Sequence, residues 1–308
     1  MRAIVLACWA LVLFCLPLVG APVHAGAAEV AILKSADLAA YNQVVDGIKA
    51  AMASSAKVVE YDMQSDMAQG RKLAKKIHAS DATLLLAVGV KAALAAKQEI
   101  VGMPVIFCMV LDPARHALTA PNMTGIRMEI PVGRQLGMMR SVLPGMKRIG
   151  VLYDPAKTGA LVEEARLLAK SMGLELVGKQ VGTEKDVPAA LRALLSQVEA
   201  LWLVPDSTVL TEDTLKFVLD TALDLNVPVI GFSSELVRRG ALAGLSVSYD
   251  DVGRQAGMLA KKILSDEDKP SSALFPPDRF RLAINLKTAK FLGIAIPPET
   301  QSSADELY

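Results

Sequence analysis

Six turns in this 308-residue sequence place polar or backbone groups where a small molecule can be held. They are Lys34-Ser35, Val88-Gly89-Val90, Leu111-Asp112-Pro113, Tyr153-Asp154-Pro155, Pro205-Asp206-Ser207 and Phe232-Ser233. Each closes an apolar run of strand length, so its side chains emerge at a strand end. The chemistry on offer is hydrogen bonding and apolar contact. Gly89 lets a ligand approach the backbone and leaves the amides of the following helix start open to an anion or carbonyl, although the same glycine also suits an ordinary strand-to-helix turn. Asp112 and Asp206 can accept hydrogen bonds from a ligand or cap helices and turns through their carboxylates. Ser35, Tyr153, Phe232 and Ser233 complete the set from the same kind of position.

Groupings that would support catalysis are missing from these turns. Beyond the first 28 residues the histidines are His78, in a helical pattern, and His116, in a loop, and neither has a cysteine close in sequence, so no metal site is expected. The run Gly231-Phe232-Ser233-Ser234-Glu235 lacks the second glycine of a nucleophile elbow, and no histidine follows it to act as base. No GxGxxG opens the first helix, which removes the usual sign of a dinucleotide. Aromatic residues are 5% of the chain and scattered, which gives no quaternary-ammonium cage. Met138 and Met139 fit a helix core. The expectation is a binding protein without cofactor, not an enzyme.

The elements that must position these turns alternate regularly. Apolar runs at 30–34, 57–63, 82–88 and 103–111 read as strands, and helical patterns at 41–53 and 67–78 fall between them, with Val44, Val45, Ile48 and Met52 on one face of the first. The order restarts with strands at 149–153, 175–181, 200–204 and 227–232 and helices at 161–172 and 214–225. Strand-helix alternation implies parallel sheets covered on both faces, here in two α/β lobes. An internal repeat supports the division: VGRQLGMM at 132–139 returns as VGRQAGML at 252–259, identical at six of eight positions. Val30-Ala31-Ile32-Leu33 corresponds in order and offset to Ile149-Gly150-Val151-Leu152, and Met103-Pro104-Val105-Ile106 to Val227-Pro228-Val229-Ile230. Two similar lobes make the cleft between them, where strand ends converge, the natural ligand position.

The first residues bear on location. Met1-Arg2 precedes an apolar run of about 17 residues, interrupted by Pro17, Gly20 and Pro22 where a spanning helix would continue. Small residues follow, the layout of a cleaved secretory signal over residues 1–28, with maturation near Gly26 or Glu29. Phe14 before Cys15 does not suit a lipidation site. Removing the signal leaves Cys108 as the single cysteine, so no internal disulfide can form and the apolar core must carry the fold. Arg2 is the one charged residue lost from 33 basic and 32 acidic residues, so the mature chain is formally neutral and offers no electrostatic case for nucleic acid or anionic membrane.

Across most of this mature chain a set of ordered fragments resembles a known family. They include Pro104-Val105-Ile106-Phe107 with Asp112-Pro113, Asn122-Met123-Thr124-Gly125, Leu143-Pro144 and Arg148-Ile149-Gly150-Val151-Leu152-Tyr153. Further on stand Val204-Pro205-Asp206, Arg239-Gly240-Ala241-Leu242, Asn285-Leu286-Lys287-Thr288-Ala289-Lys290 and Ala304-Asp305-Glu306. The sequence resembles ABC transporter substrate-binding proteins related to the tryptophan-binding TrpX type. That resemblance implies a type I periplasmic-binding fold: two doubly wound parallel-sheet lobes joined by a three-crossing hinge near Gly125, Tyr249 and Asp278. Lobe one would hold 29–126 with about 250–284, and lobe two 127–249 with the C-terminal segment. It also implies a monomeric periplasmic receptor that closes on a small molecule and delivers it to an ABC permease and ATPase. A sensory subunit read by a membrane receptor is the alternative.

The resemblance adds Asn122 and Thr124 to the candidate site, at the first crossing. Amino-acid-binding relatives commonly carry Gly-Thr after the third strand and Thr-Asp-Pro after the fourth, whereas this sequence has Gly89-Val90 and Leu111-Asp112-Pro113. Two hydroxyls suited to a carboxylate are aliphatic here. If Val90 and Leu111 face the cleft, the ligand has a largely apolar body; otherwise both belong to the core.

Overall fold

The computed structural model describes residues 28–267, 269 and 271–308, so the expected signal up to Ala27 and the maturation position at Gly26 lie outside the described residues, while the alternative start at Glu29 lies in the first strand. Strands β1 (Ala28–Lys34), β2 (Ala56–Asp62), β3 (Ala82–Val88), β4 (Val105–Val110) and β5 (Met123–Arg127) form the first sheet with β11 (Leu274–Phe275). Its order is β11-β5-β4-β3-β1-β2, and all its pairings are parallel. The second sheet collects β6 (Arg148–Tyr153), β7 (Glu175–Gln180), β8 (Ala200–Trp202), β9 (Val229–Gly231), β10 (Ala243–Ser246), β12 (Arg281–Ile284) and β13 (Glu306–Leu307). Its order is β13-β12-β10-β9-β8-β6-β7, with β12 antiparallel to β10.

Period-two burial explains why each sheet is covered twice. In β1, Val30 and Ile32 pack with helix α1 (Ala39–Met52) and with α9 (Tyr249–Leu264). Ala31 and Leu33, on the opposite face, meet α2 (Met67–His78) and α3 (Val90–Glu99). In the second sheet, Ile149, Val151 and Trp202 pack under α4 (Val132–Val142), α5 (Pro155–Ser171) and α10 (Leu286–Phe291). Leu152, Leu201 and Leu203 lie under α6 (Val187–Leu195), α7 (Glu212–Asp224) and α8 (Ser234–Arg238). A last short helix, α11 (Pro298–Ser302), precedes β13. The architecture is two doubly wound α/β lobes, as the alternation requires.

The chain passes between the sheets three times: after β5, between β10 and α9, and between β11 and β12. The repeated segments sit just beyond the first two crossings, VGRQLGMM in α4 and VGRQAGML in α9. Helix α5 begins at Pro155, six residues before the periodic pattern suggests, because Asp154 caps it and proline suits the first helical position.

Candidate functional site

In each sheet, strand order reverses at one place. In the first the chain winds outward from β1 to β2 on one side and from β3 to β5 on the other; in the second it winds from β6 to β7 and from β8 to β10. Such switch points leave a crevice at the carboxyl ends of the two central strands, which is where doubly wound sheets bind ligands. Ser35 follows β1 and Gly89 follows β3; Asp154 follows β6 and Asp206 lies beyond β8. Six of the turns singled out in the sequence therefore border these crevices or the strand beside them.

At the first crevice, Ser35 donates its amide to the Val88 carbonyl at 2.9 Å, and its Oγ accepts from the Ala92 amide at 2.9 Å, capping α3 from another strand. Gly89 has φ 92°, and a Cβ there would lie 2.6 Å from Ser35 Oγ and 2.9 Å from the ring and hydroxyl of Tyr41. Glycine is required on both counts, backbone conformation and the tyrosine lying over it. Burial, with a smaller contribution from neighbouring Cys108, holds the Tyr41 hydroxyl above its ordinary pKa, so it is a donor at neutral pH. Val90 is half-buried against the α3 side of the core. Helix α3 thus presents its positive end at the crevice.

The end of β4 departs from regular geometry. A bulge between Phe107 and Val110 puts Met109 at φ 59°, and Asp112 follows at φ 48°. Bulges re-aim side chains, and left-handed residues other than glycine gather where function holds them. Leu111 emerges 73% exposed. Asp112 Oδ1 accepts from the Arg115 amide at 3.1 Å, while the Asp112 amide donates to Glu129 Oε1 at 3.1 Å. Asp112, Pro113, Arg127, Glu129 and Leu274 line a cavity of about 210 Å³.

The second crevice is filled by its own side chains. Asp206 is 1% exposed; its carboxylate accepts from the Asp154 amide at 2.8 Å, Thr158 Oγ1 at 2.5 Å and the Thr208 and Val209 amides at 2.9 and 3.3 Å. Thr208 in turn donates to Asp154 Oδ2 at 2.7 Å. That bond and the Ala156 amide hold the Asp154 carboxyl below the ordinary aspartate range. The network fixes the two loops to one another and occupies Asp206 fully. Tyr153 is buried, with its hydroxyl accepting from Gln180 Nε2 at 3.1 Å, and its ring belongs to the core. Phe232 is half-buried and Ser233 Oγ caps α8 by accepting from the Leu236 amide at 3.3 Å.

Comparison with known proteins decides what this architecture belongs to. Residues 28–308 match the family model described as ABC transporter substrate binding protein. The chain belongs to that family. A tyrosine-binding protein of Clostridioides difficile (strain R20291) is 25% identical over 246 residues, covering 77% of this chain and 71% of the relative. Among solved structures, the ligand-free, open form of a Clostridium difficile substrate-binding protein with adhesive properties has a TM-score of 0.77 at 22% identity, covering 91% of this chain and 98% of that one. An ABC domain from Streptococcus pneumonia in complex with L-Trp has a TM-score of 0.58 at 22% identity, covering 91% of this chain and all of the other. These likenesses show the type I periplasmic-binding fold. The family is one of substrate-binding proteins, so the chain is a binding protein rather than an enzyme.

Two residues drawn from the family resemblance fall away from the crevices of this substrate-binding protein. Asn122 precedes β5 at its amino end, and its Nδ2 donates to the Met103 carbonyl at 2.8 Å, tying together the loops before β4 and β5. Thr124 is 2% exposed within β5; its hydroxyl donates to the Ser271 carbonyl at 2.8 Å and accepts from the Ser271 amide at 3.1 Å. Both of its polar capacities fasten the segment before β11. Sequence spacing could not show this, because the segment it binds is 147 residues away.

At the first crevice the sequence reading missed Tyr41 and named Lys34 only as part of a turn. Tyr41 reads only as a helix residue until β3 brings Gly89 beneath it. Lys34, 8% exposed, ends β1 with Nζ 3.0 Å from Glu60, 3.3 Å from Asp37 and 3.0 Å from Asn42 Oδ1. Burial opposes its charge, but the hydrogen bonds and charges of Glu60 and Asp37 outweigh that and raise its pKa above the ordinary lysine value. The apolar run through Leu33 gave no sign that the next residue would be a buried cation.

Proposed function

We propose that this chain is the periplasmic receptor of an ABC-type importer, and that it captures one small molecule with a large apolar body between its lobes. The family supports capture for an ABC permease and ATPase. The observation that carries the ligand class is at the first crevice: Leu111 stands 73% exposed just past the bulged end of β4, two strands from Ser35, where the family resemblance implies a threonine in amino-acid-binding relatives. A core leucine would be covered. An apolar group docked against Leu111 and Val90 gains roughly 25 cal/mol for each Å² removed from water, while the α3 amino end and the Tyr41 hydroxyl orient a single anionic or carbonyl group.

A second reading is a free aromatic amino acid, favoured by the relative named a tyrosine-binding protein. Its ammonium would need an anionic partner such as Glu129 or Asp112. Calorimetry with L-tyrosine, L-tryptophan and their des-amino carboxylic acids separates the two. Tighter binding of the des-amino acids supports the apolar-body reading; tighter binding of the zwitterions supports the second. Preference for a sugar or a small hydrophilic amino acid over all four removes both.

A further inference from the structure

The repeated VGRQ segments end in glutamines whose amides are committed to the crossings. In α4, Gln135 Nε2 donates to the Ile130 carbonyl at 2.8 Å, and its Oε1 accepts from the Trp202 indole at 3.1 Å. Trp202 is fully buried in the second sheet, so this side chain ties the end of the first crossing to the interior of lobe two. In α9, Gln255 Nε2 donates to the Pro276 carbonyl at 2.9 Å and to Asp278 Oδ1 at 3.1 Å, while its Oε1 accepts from the Asp278 amide at 3.1 Å. Helix α9 is packed on the first sheet, so Gln255 ties the start of the third crossing to lobe one.

We propose that Gln135 and Gln255 are the two stops of the hinge, each fixing one crossing to one lobe so that rotation is confined to three short stretches. The first is Met128-Glu129, between the end of β5 and the fixed Ile130. The third is Arg279-Phe280, between the fixed Asp278 and the start of β12. The second crossing is shorter still, Val247 alone, because Ser248 Oγ already caps α9 by accepting from the Asp251 amide at 3.3 Å. One or two residues per crossing remain, and among the described residues no backbone hydrogen bond holds the amides of these five, Arg279 being held only through its side chain, 3.6 Å from Asp251 of α9. A few such residues suffice to absorb a lobe rotation, and shortening the free stretch narrows the range of lobe angles. The equivalence of the two glutamines in the repeat gives them one task at opposite ends of the hinge. The proposal concerns the ligand-free protein and does not depend on which ligand the cleft takes.

The test is a pair of nitroxide labels, at Lys72→Cys on α2 and Asp213→Cys on α7, with the interlobe distance distribution read by pulsed electron resonance without ligand. Both positions are exposed, and Cys108 is buried with its thiol pushed up to about 12, so it stays unlabelled. Gln255→Leu removes all three bonds to the third crossing. Gln135→Glu keeps the acceptor for Trp202, removes the bond to Ile130 and sets a carboxylate oxygen against the Ile130 carbonyl. Each is expected to broaden the distribution roughly twofold, and the exposed control Gln69→Leu to leave it unchanged. Hydrogen exchange gives an independent reading. In the parent the Asp278 amide should exchange slowly and those of Arg279 and Phe280 fast, and Gln255→Leu should speed Asp278 by about tenfold, the loss of one net hydrogen bond. Unchanged distributions in both folded variants, or Asp278 exchanging as fast as Phe280 in the parent, would overturn the proposal.

Discussion

The repeat makes a quantitative prediction through its glycines, because the same sequence meets two different surroundings. In α9, a Cβ on Gly253 would lie 2.1 Å from the Val44 carbonyl oxygen, and one on Gly257 would lie 2.6 Å from Ala51 Cβ. In α4, the equivalent Gly133 and Gly137 have nothing within 4 Å of the same point. Gly137→Ala should therefore show only the helix effect, a gain of about 0.5–1 kcal/mol, mainly by restricting the unfolded chain. That is a rise in melting temperature of roughly 1–4 °C for lobes of this size. Gly253→Ala would gain the same local term, but its methyl meets backbone rather than a yielding side chain. Helices α1 and α9 must then separate, and overpacking of this kind costs about 1–3 kcal/mol or more. A net loss of about 1–2 kcal/mol, a fall of roughly 2–8 °C, follows from the difference. Thermal and urea unfolding of the two single variants read this directly. Changes of the same sign and size would show that α9 does not rest on α1 through its glycines.

Other expectations follow from the site. Asp206→Ala strands four donors and should cost about 3 kcal/mol or more in urea unfolding; a near-neutral variant would mean the Asp206 network does not hold the loops. Because the folded-state pKa of Asp154 is depressed, its contribution is present above the ordinary aspartate value near 3.8 and is lost as pH falls through the folded value. Asp154→Asn should flatten that acid limb, and an unchanged limb would contradict the assignment. Cys108 should resist a thiol reagent at pH 8 while the protein is folded and react on unfolding; fast native labelling would place it at the surface. Leu111→Thr should leave stability within about 0.5 kcal/mol, since Leu111 is exposed, yet weaken ligand binding by roughly 1–3 kcal/mol if the hydroxyl is buried unpaired. Unchanged affinity would remove Leu111 from the site.

Much of the fold is written in local pattern. The run from Ala82 to Val88 and the helix from Met67 to His78 have the bounds that periodicity gives, because each is a continuous signal closed by a turn residue. The short strands are less legible. Strand β11 has two residues and exists because Thr124 and the β5 backbone hold it, and β12 runs antiparallel only because the chain returns through the third crossing. The site divides in the same way. Gly89 stands out as a strand-end glycine, but Tyr41 above it comes from a distant segment, as do two of the four donors around Asp206, the Asp154 amide and the Thr158 hydroxyl. A carboxylate in a turn reads alike whether it awaits a ligand or is already satisfied, and tertiary hydrogen bonds alone distinguish the two. The Asn122 and Thr124 fragment identified the family while its side chains serve the scaffold.

The claim that the chain takes a ligand with an apolar body between its lobes is tested most directly by calorimetric titration at several temperatures with an aryl carboxylic acid, L-tyrosine and L-tryptophan. The expected result is one site per chain, a negative heat-capacity change from buried apolar surface, and weaker binding in Leu111→Thr. A ligand bound with no heat-capacity change and full affinity in Leu111→Thr would contradict it.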